Sequence, residues 1–235
     1  MEQGSRLRYG PKKRNAAWIW GEGPIVVFVH GWNGSAVQLA PLAQRIAGRG
    51  FRCVAIDVTG HGGSQGNRTG WGHFIDDVAA LTEALGTAVY AYVGHSAGGL
   101  TLMAARAIRG IRAEKYVCVC TPSHPFPPIR AVKGNLDPPP RTLGAYQDFI
   151  ASQFDSTWQE LTEGRAFLGA NADLLLFYDQ TDRFVDHTEG DRIKSWCSGA
   201  QLTKTSGYGH MKVLGAPELE QSIAGFLLGT GVNSD

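Results

Sequence analysis

The chain has 235 residues, a formal net charge of +1 at pH 7, 43% hydrophobic residues and 18% charged residues. This length fits one domain, and the composition is that of a globular chain and not of a disordered or fibrous one. The small net charge argues against strong electrostatic binding of nucleic acid or anionic membranes. The only dense basic run is Lys12, Lys13 and Arg14, which we expect to lie in a solvated, partly frayed N-terminus.

Residues 1–15 are polar and lack the apolar core of a signal peptide, and no apolar stretch reaches the ~20 residues that span a bilayer. We therefore expect a cytoplasmic protein without a membrane span. The four cysteines form no C-x-x-C pair. We therefore expect them to be small, buried, hydrophobic side chains and not metal ligands. No nucleotide-binding glycine motif occurs, so we expect catalysis without a cofactor or a metal.

Short apolar runs rich in β-branched residues predict buried strands, and helical patterns lie between them. The predicted strands cover residues 25–29, 52–57, 89–93, 116–120 and 174–178. Predicted helices cover 37–49, 71–85 and 97–109, followed by a helix at 188–196, a short strand near 201–204 and a terminal helix at 217–228. The alternation predicts an α/β fold: a mostly parallel central sheet with helices on both faces, and chemistry at the carboxyl ends of the strands.

Seven prolines between residues 121 and 141 interrupt the alternation of strands and helices. They predict a long, stiff segment without regular helix or central strand. One amphipathic helix is predicted to follow, with apolar residues at spacings of three and four. Its stripe consists of Leu143, Tyr146, Phe149, Ile150, Phe154, Trp158 and Leu161. We expect residues of about 122–170 to form a small cap insertion in a single domain of residues 1–235. The alternative for the apolar stripe is that it packs on the edge of the sheet, and the two interpretations are compatible.

The sharpest local signal is Gly94-His95-Ser96-Ala97-Gly98, which follows a predicted strand and opens a predicted helix. This is G-x-S-x-G in its strand-turn-helix context, where the glycines let neighbouring chain approach and the serine hydroxyl is exposed. The helix beginning at Ala97 also directs unpaired N–H groups towards the place where an oxyanion would form. Ser96 is therefore the candidate nucleophile.

A serine hydroxyl needs a neighbouring base and an orienting carboxylate, which should follow other strands. His210 lies in a glycine-rich loop after the last predicted strand, and Asp182 lies in the loop beyond the strand at 174–178. Asp179 and Asp186 lie close to Asp182 and compete for the same role. The order serine, aspartate, histidine is that of G-x-S-x-G hydrolases and differs from the orders in chymotrypsin and subtilisin.

From about residue 18 to residue 228 the sequence resembles the α/β-hydrolase superfamily. His30-Gly31-Trp32 matches the family's His-Gly-x loop after the first central strand, and Asp57-Val58-Thr59-Gly60-His61-Gly62-Gly63-Ser64 resembles its D-x-x-G-x-G-x-S loop. Carried over by position, the resemblance implies that the backbone N–H groups of Trp32 and Ala97 form an oxyanion hole.

The resemblance also favours Asp182 as the orienting carboxylate. It precedes Val185 by three residues, as in the family's G-x-x-D-x-x-V pattern. The chain departs from that pattern at Asp179, where many relatives have glycine. We expect Asp179 to be a loop or helix-cap residue.

The resemblance implies a carboxylesterase-like serine hydrolase that cleaves a small-molecule carboxylic ester or related acyl bond. Ser96, His210 and Asp182 would form the triad, with a covalent acyl-enzyme as intermediate. Two alternatives stay open: a lyase or acyltransferase on the same triad, and a receptor-like binding module with little turnover. The sequence indicates no oligomeric state.

Overall fold

The computed structural model describes residues 4–170 and 173–229, and in this part of the chain eight strands form one sheet. The strands are β1 (Ser5–Tyr9), β2 (Asn15–Trp20), β3 (Ile25–Val29), β4 (Arg52–Asp57), β5 (Val89–His95), β6 (Lys115–Val119), β7 (Leu174–Asp179) and β8 (Gln201–Thr205). Their spatial order is β1-β2-β4-β3-β5-β6-β7-β8. Strands β1 and β2 are antiparallel to their neighbours, whereas β3 to β8 are parallel. The predicted α/β fold is confirmed.

Helices cover both faces of the sheet. They are α1 (Ala36–Ala47), α2 (Trp71–Leu85), α3 (Ala97–Ile108), α4 (Phe126–Leu136), α5 (Pro140–Ser152), α6 (Trp158–Thr162), α7 (Thr188–Trp196), α8 (Gly209–Lys212) and α9 (Pro217–Leu228). Because successive strand residues point to opposite faces, Val26 and Phe28 of β3 pack with α1 and α9, while Val27 and Val29 pack with α2 and α3. Both faces of β3 are therefore buried.

The parallel strands bring distant loops to one edge of the sheet. The carboxyl ends of β3, β5, β7 and β8 share this edge. The segments that follow these strands contain Trp32, Ser96, Asp182 and His210, the last of which lies in the short helix α8. The sheet thus gathers the candidate site residues from positions that span most of the chain.

The expectation of a frayed N-terminus is wrong from Ser5 onwards. Strands β1 and β2 pair as an antiparallel hairpin that extends the sheet past β4. Tyr9 at the end of β1 is buried, and its hydroxyl donates a hydrogen bond to the carbonyl of Asp57 at 3.0 Å. Lys12 and Lys13 are solvent-exposed in the turn between the two strands.

The expectation that the proline-rich segment excludes regular helix is also wrong. Helix α4 begins at Phe126, so Pro127 and Pro128 lie in its first turn, where a missing N–H costs no hydrogen bond. Pro140 likewise opens α5.

The amphipathic stripe from Leu143 to Leu161 belongs to two helices and not to one. Helix α5 ends at Ser152, and Asp155 has a left-handed φ of 49° that breaks the helical path. Helix α6 then begins at Trp158, where Thr157 and Glu160 form a reciprocal capping box.

The carboxylate of Asp57 ties three segments together at the end of β4. One oxygen accepts a hydrogen bond from the N–H of Ala36 at the start of α1 (2.7 Å), and the other accepts from the N–H of Gly63 (2.8 Å) and the indole of Trp18 (3.3 Å). Gly62 lies against this carboxylate with a φ of 50°, where a side chain would collide with it. The D-x-x-G-x-G-x-S pattern is therefore a structural brace beside the site edge.

Replacing Asp57 with alanine should lower the free energy of unfolding by roughly 2–3 kcal/mol, because buried N–H donors lose their acceptor. Urea denaturation followed by tryptophan fluorescence measures this loss. Asp148→Ala is the control, since Asp148 is exposed on α5 and should change stability by less than about 0.5 kcal/mol. An equal loss of unfolding free energy in the two variants would contradict the stabilising role of Asp57.

Candidate active site

Ser96 lies on the turn between β5 and α3, with a left-handed φ of 53° and ψ of −123°. Its N–H donates to the carbonyl of Val119 on the adjacent strand at 2.8 Å. Glycines make room for this turn: a Cβ on Gly98 would collide with the carbonyl of Val29, and a Cβ on Gly31 would lie 2.9 Å from the Cβ of Ser96. The turn therefore depends on close backbone approach on both sides of the serine.

Ser96, His210 and Asp182 form one hydrogen-bonded series. The Ser96 hydroxyl lies 3.0 Å from Nε2 of His210, and Nδ1 of His210 lies 2.6 Å from Oδ2 of Asp182. The other carboxylate oxygen of Asp182 accepts from the N–H groups of Phe184 (2.8 Å) and Val185 (3.0 Å). An imidazole held in this way can take the serine proton while the carboxylate stabilises the resulting cation.

The environment of Asp182 keeps its carboxyl ionised. Burial raises the pKa of this group, but the hydrogen bonds from His210, Val185 and Phe184 outweigh burial and hold the pKa below its ordinary value.

Neither Asp179 nor Asp186 makes a hydrogen bond to the imidazole of His210. Oδ1 of Asp179 instead accepts hydrogen bonds from the N–H groups of Thr181 and Gly209. Oδ1 of Asp186 accepts from the N–H and the hydroxyl of Thr188 in an exposed turn.

Two further histidines near the site are buried and neutral. Burial lowers the pKa of His95 to about 3 and that of His30 to about 4. Nε2 of His95 donates to the carbonyl of His210 at 2.9 Å. Nδ1 of His30 donates to the carbonyl of Gly31 at 2.8 Å, while its Nε2 accepts from the N–H of Val58 at 3.2 Å. Sequence reasoning gave His30 and His95 no chemical role, and their contacts here are with loop backbone.

Trp32 and Ala97 line the same cavity as Ser96. Among the described residues, neither backbone N–H has a hydrogen-bond acceptor. The indole of Trp32 stacks on Phe74 with ring centroids 5.4 Å apart, and it contacts Trp71 at 5.2 Å. Two backbone N–H groups of the cavity-lining residues are thus without an acceptor in the described part of the chain.

A cavity of about 490 Å³ opens above Ser96. Helices α4 and α5 supply one wall, and the loop after Asp182 supplies another. The lining consists of Trp32, Asn33, Trp71, Ser96, Ala97, Pro127, Pro128, Ala131, Val132, Tyr146 and Phe184. Only Tyr146 of the predicted apolar stripe is among them. Among the described residues, this lining contains no carboxylate and no cationic side chain.

One cluster of described residues brings together donors that could hold a metal: Cys120, Asp182 and His210, whose ligand atoms lie within 4.8 Å of one another. Burial raises the pKa of the Cys120 thiol, which favours the protonated form over the thiolate that binds metals. Nδ1 of His210 is also engaged by Asp182 at 2.6 Å. The donor set suits proton transfer better than metal binding. All four cysteines of the chain are buried and unpaired.

The sequence model of the alpha/beta hydrolase family matches residues 26–218, which is most of the chain. The chain belongs to the alpha/beta hydrolase family. Among the described residues, no helix has both the length and the apolar character needed to cross a bilayer.

Curated relatives in this family carry several activities in their names. A non-heme chloroperoxidase of Streptomyces lividans is 38% identical over 141 residues, covering 57% of this chain and 48% of the relative. A bifunctional esterase/perhydrolase of Acinetobacter calcoaceticus is 40% identical over 84 residues, covering 34% of this chain and 30% of the relative. The chain spans about half or less of the length of these two relatives.

Solved structures of the family share the fold at low identity. Est1E of Butyrivibrio proteoclasticus, solved with ferulic acid bound, has a TM-score of 0.73 and 16% identity, covering 95% of this chain and 98% of that one. The esterase RhEst1 of a Rhodococcus species has a TM-score of 0.68 and 20% identity, covering 97% and 100%. At these identities the likeness shows the alpha/beta hydrolase fold alone.

The lowered pKa of Asp182 gives a pH-dependent test of its environment. A depressed folded-state pKa adds stability above the unfolded-state value of about 4, and this stability is lost as the pH falls through the folded-state pKa. The stability difference between wild type and Asp182→Asn should therefore be largest near neutral pH and should shrink below about pH 4. Urea unfolding at a series of pH values measures it. The exposed Asp148→Asn is the control, and a difference that stays constant with pH for Asp182→Asn would contradict the ionised carboxylate.

Proposed function

We propose that this chain is a serine hydrolase that cleaves uncharged carboxylic esters, with Ser96 as nucleophile, His210 as general base and Asp182 as orienting carboxylate. The observation that carries the proposal is the hydrogen-bonded series from Ser96 to His210 to Asp182. Ser96 lines a cavity in which no described lining residue is charged. Membership of the family and the esterases named among its relatives support the same reaction class.

In the proposed acylation step, Oγ of Ser96 attacks the ester carbonyl while its proton passes to Nε2 of His210. Asp182 holds Nδ1 and stabilises the imidazolium. The N–H groups of Trp32 and Ala97 donate to the oxygen that becomes negative in the tetrahedral intermediate. His210 then gives the proton to the leaving alcohol, and the acyl group stays on Ser96.

In the deacylation step, water takes the place of the alcohol. His210 removes a proton from the water, the resulting hydroxide attacks the acyl carbonyl, and the same two N–H groups stabilise the second intermediate. Collapse of this intermediate releases the carboxylic acid and returns the proton to Ser96. The chemistry requires only the groups named here and a water molecule.

The walls of the cavity favour a substrate with an apolar acyl group. A volume of about 490 Å³ lies within the ~300–1,000 Å³ common for small-molecule sites. Residues 122–170 contribute α4 and α5 to one wall, so we propose that this segment is a cap on a single hydrolase domain of residues 1–235. A carboxylate or ammonium group on the acyl chain would find no counter-charge in the cavity lining.

The Ser96→Ala variant should lose ester hydrolysis by about 10⁴–10⁶-fold, since the triad members act as a unit. Hydrolysis of p-nitrophenyl acetate and butyrate measures the loss, and product analysis separates hydrolysis from lyase or acyl-transfer chemistry. The control is Ser195→Ala, because Ser195 is exposed on α7 and its hydroxyl donates to the carbonyl of Arg192 in the same helix. Retention of the wild-type rate by Ser96→Ala would refute the proposal.

The cavity assignment is tested by filling the space beside α4. Ala131→Phe adds a ring to the cavity wall, so KM for p-nitrophenyl octanoate should rise by about tenfold or more relative to KM for the acetate. Ala145→Phe is the matched control, since Ala145 is exposed on α5 outside the cavity lining. An unchanged ratio of KM values in Ala131→Phe would place the acyl group elsewhere.

A further inference from the structure

The Asp179 side chain, at the end of β7, is buried and accepts five hydrogen bonds. Oδ1 accepts from the N–H (3.0 Å) and the hydroxyl (2.6 Å) of Thr181 and from the N–H of Gly209 (2.9 Å). Oδ2 accepts from the hydroxyl of Thr205 (3.0 Å) and the N–H of Tyr208 (3.2 Å). One carboxylate thus joins the loop after β7 to the loop after β8.

The loop after β7 contains Asp182. The segment 206–210 after β8, called the His210 loop below, ends at His210 in the first turn of the short helix α8. The segment before His210 contains Gly207 and Gly209, whose φ values of 101° and 68° are in the region that glycine enters freely. Such a segment does not hold a histidine in place through its own backbone preferences, because glycine retains more conformational freedom than other residues. A second contact connects the same two loops: the N–H of Gly207 donates to the hydroxyl of Thr181 at 3.2 Å.

The charge of Asp179 suits this set of donors. Burial raises the pKa of Asp179, but the hydrogen bonds from Thr181, Gly209 and Tyr208 outweigh burial and bring the pKa to about 2. An ionised carboxylate accepts at both oxygens, whereas the amide of an asparagine accepts at one atom and donates from the other. An asparagine in this place would direct an NH₂ group at backbone N–H or hydroxyl donors.

We propose that Asp179 is a positioning residue, which holds the His210 loop so that the imidazole reaches Ser96 and Asp182 at the same time. This inference rests on the proposed function. Asp179 makes no hydrogen bond to the imidazole and acts through the backbone of residues 208 and 209. Its effect should therefore fall on the chemical step and not on substrate binding.

Asp179→Asn tests the proposal, with Asp186→Asn as a matched control. Asp186 accepts from the N–H (2.9 Å) and the hydroxyl (2.6 Å) of Thr188, as Asp179 does from Thr181, but it makes no hydrogen bond to the His210 loop. For p-nitrophenyl acetate, kcat should fall by about 10–100-fold in Asp179→Asn while KM changes by less than about threefold. Both constants should stay near wild type in Asp186→Asn.

Two further readouts distinguish positioning from simple stabilisation. The amide protons of Tyr208 and Gly209 should exchange faster in Asp179→Asn than in wild type. The low-field proton NMR signal of the hydrogen bond between Nδ1 of His210 and Asp182 should be lost in Asp179→Asn and kept in Asp186→Asn. All measurements are made below the thermal unfolding transition of each variant.

An unchanged kcat and an unchanged His210 signal in a folded Asp179→Asn variant would overturn the proposal. If Asp179→Asn does not fold, Thr205→Val removes one of the five hydrogen bonds while keeping the side-chain shape. It should lower kcat by about two- to fivefold, and an unchanged kcat would again overturn the proposal.

Failure of the proposed function would be recognised separately. If Ser96→Ala keeps its hydrolysis rate, the triad chemistry is refuted, while the His210 proton signal still reports whether Asp179 positions the imidazole. If Ser96→Ala loses activity and Asp179→Asn does not, the serine hydrolase assignment stands and only the role of Asp179 is refuted.

Discussion

The backbone of Ser96 is the constraint on which the site depends. A residue with a Cβ rarely adopts a φ of 53° together with a ψ of −123°. Here β5 delivers the chain into the turn, α3 leads it away, and the N–H of Ser96 is held by Val119 on β6. Gly31 and Gly98 leave room for the neighbouring segments, and Ser96 lines the cavity. Within the described residues, the N–H groups of Trp32 and Ala97 have no acceptor.

The parallel sheet places the other site residues near Ser96, because the segments that follow four different strands meet at one edge. Buried polar side chains brace several segments at or beside this edge. Asp57 holds the loop after β4, neutral His30 holds the loop after β3, and neutral His95 holds the carbonyl of His210. We propose that Asp179 does the same for the histidine loop. Burial of these four side chains is tolerated because each of them has hydrogen-bond partners.

Much of the site could be predicted from the sequence because its signals are local. The bounds of α2, α7 and α9 follow from apolar periodicity and flanking residues, and the meeting of Ser96, Asp182 and His210 follows from parallel strands that share an edge. Strand β1 was missed because Ser-Arg-Leu-Arg-Tyr is polar and is stabilised by pairing with β2. Helix α4 was missed because prolines in a first turn favour a helix and do not break it. Asp179 was undervalued, since three of its donors lie 26 to 30 residues further along the chain.

Labelling of the purified protein with a fluorophosphonate, followed by intact-mass measurement and peptide mapping, tests the central claim most directly. The expected result is a single adduct on Ser96, formed slowly in His210→Ala and absent in Ser96→Ala. Fluorophosphonates react with serines that are activated by a base and flanked by oxyanion donors, which is the arrangement proposed here. Absence of an adduct in the wild-type protein, or an adduct on another serine with Ser96 unmodified, would contradict the serine hydrolase assignment.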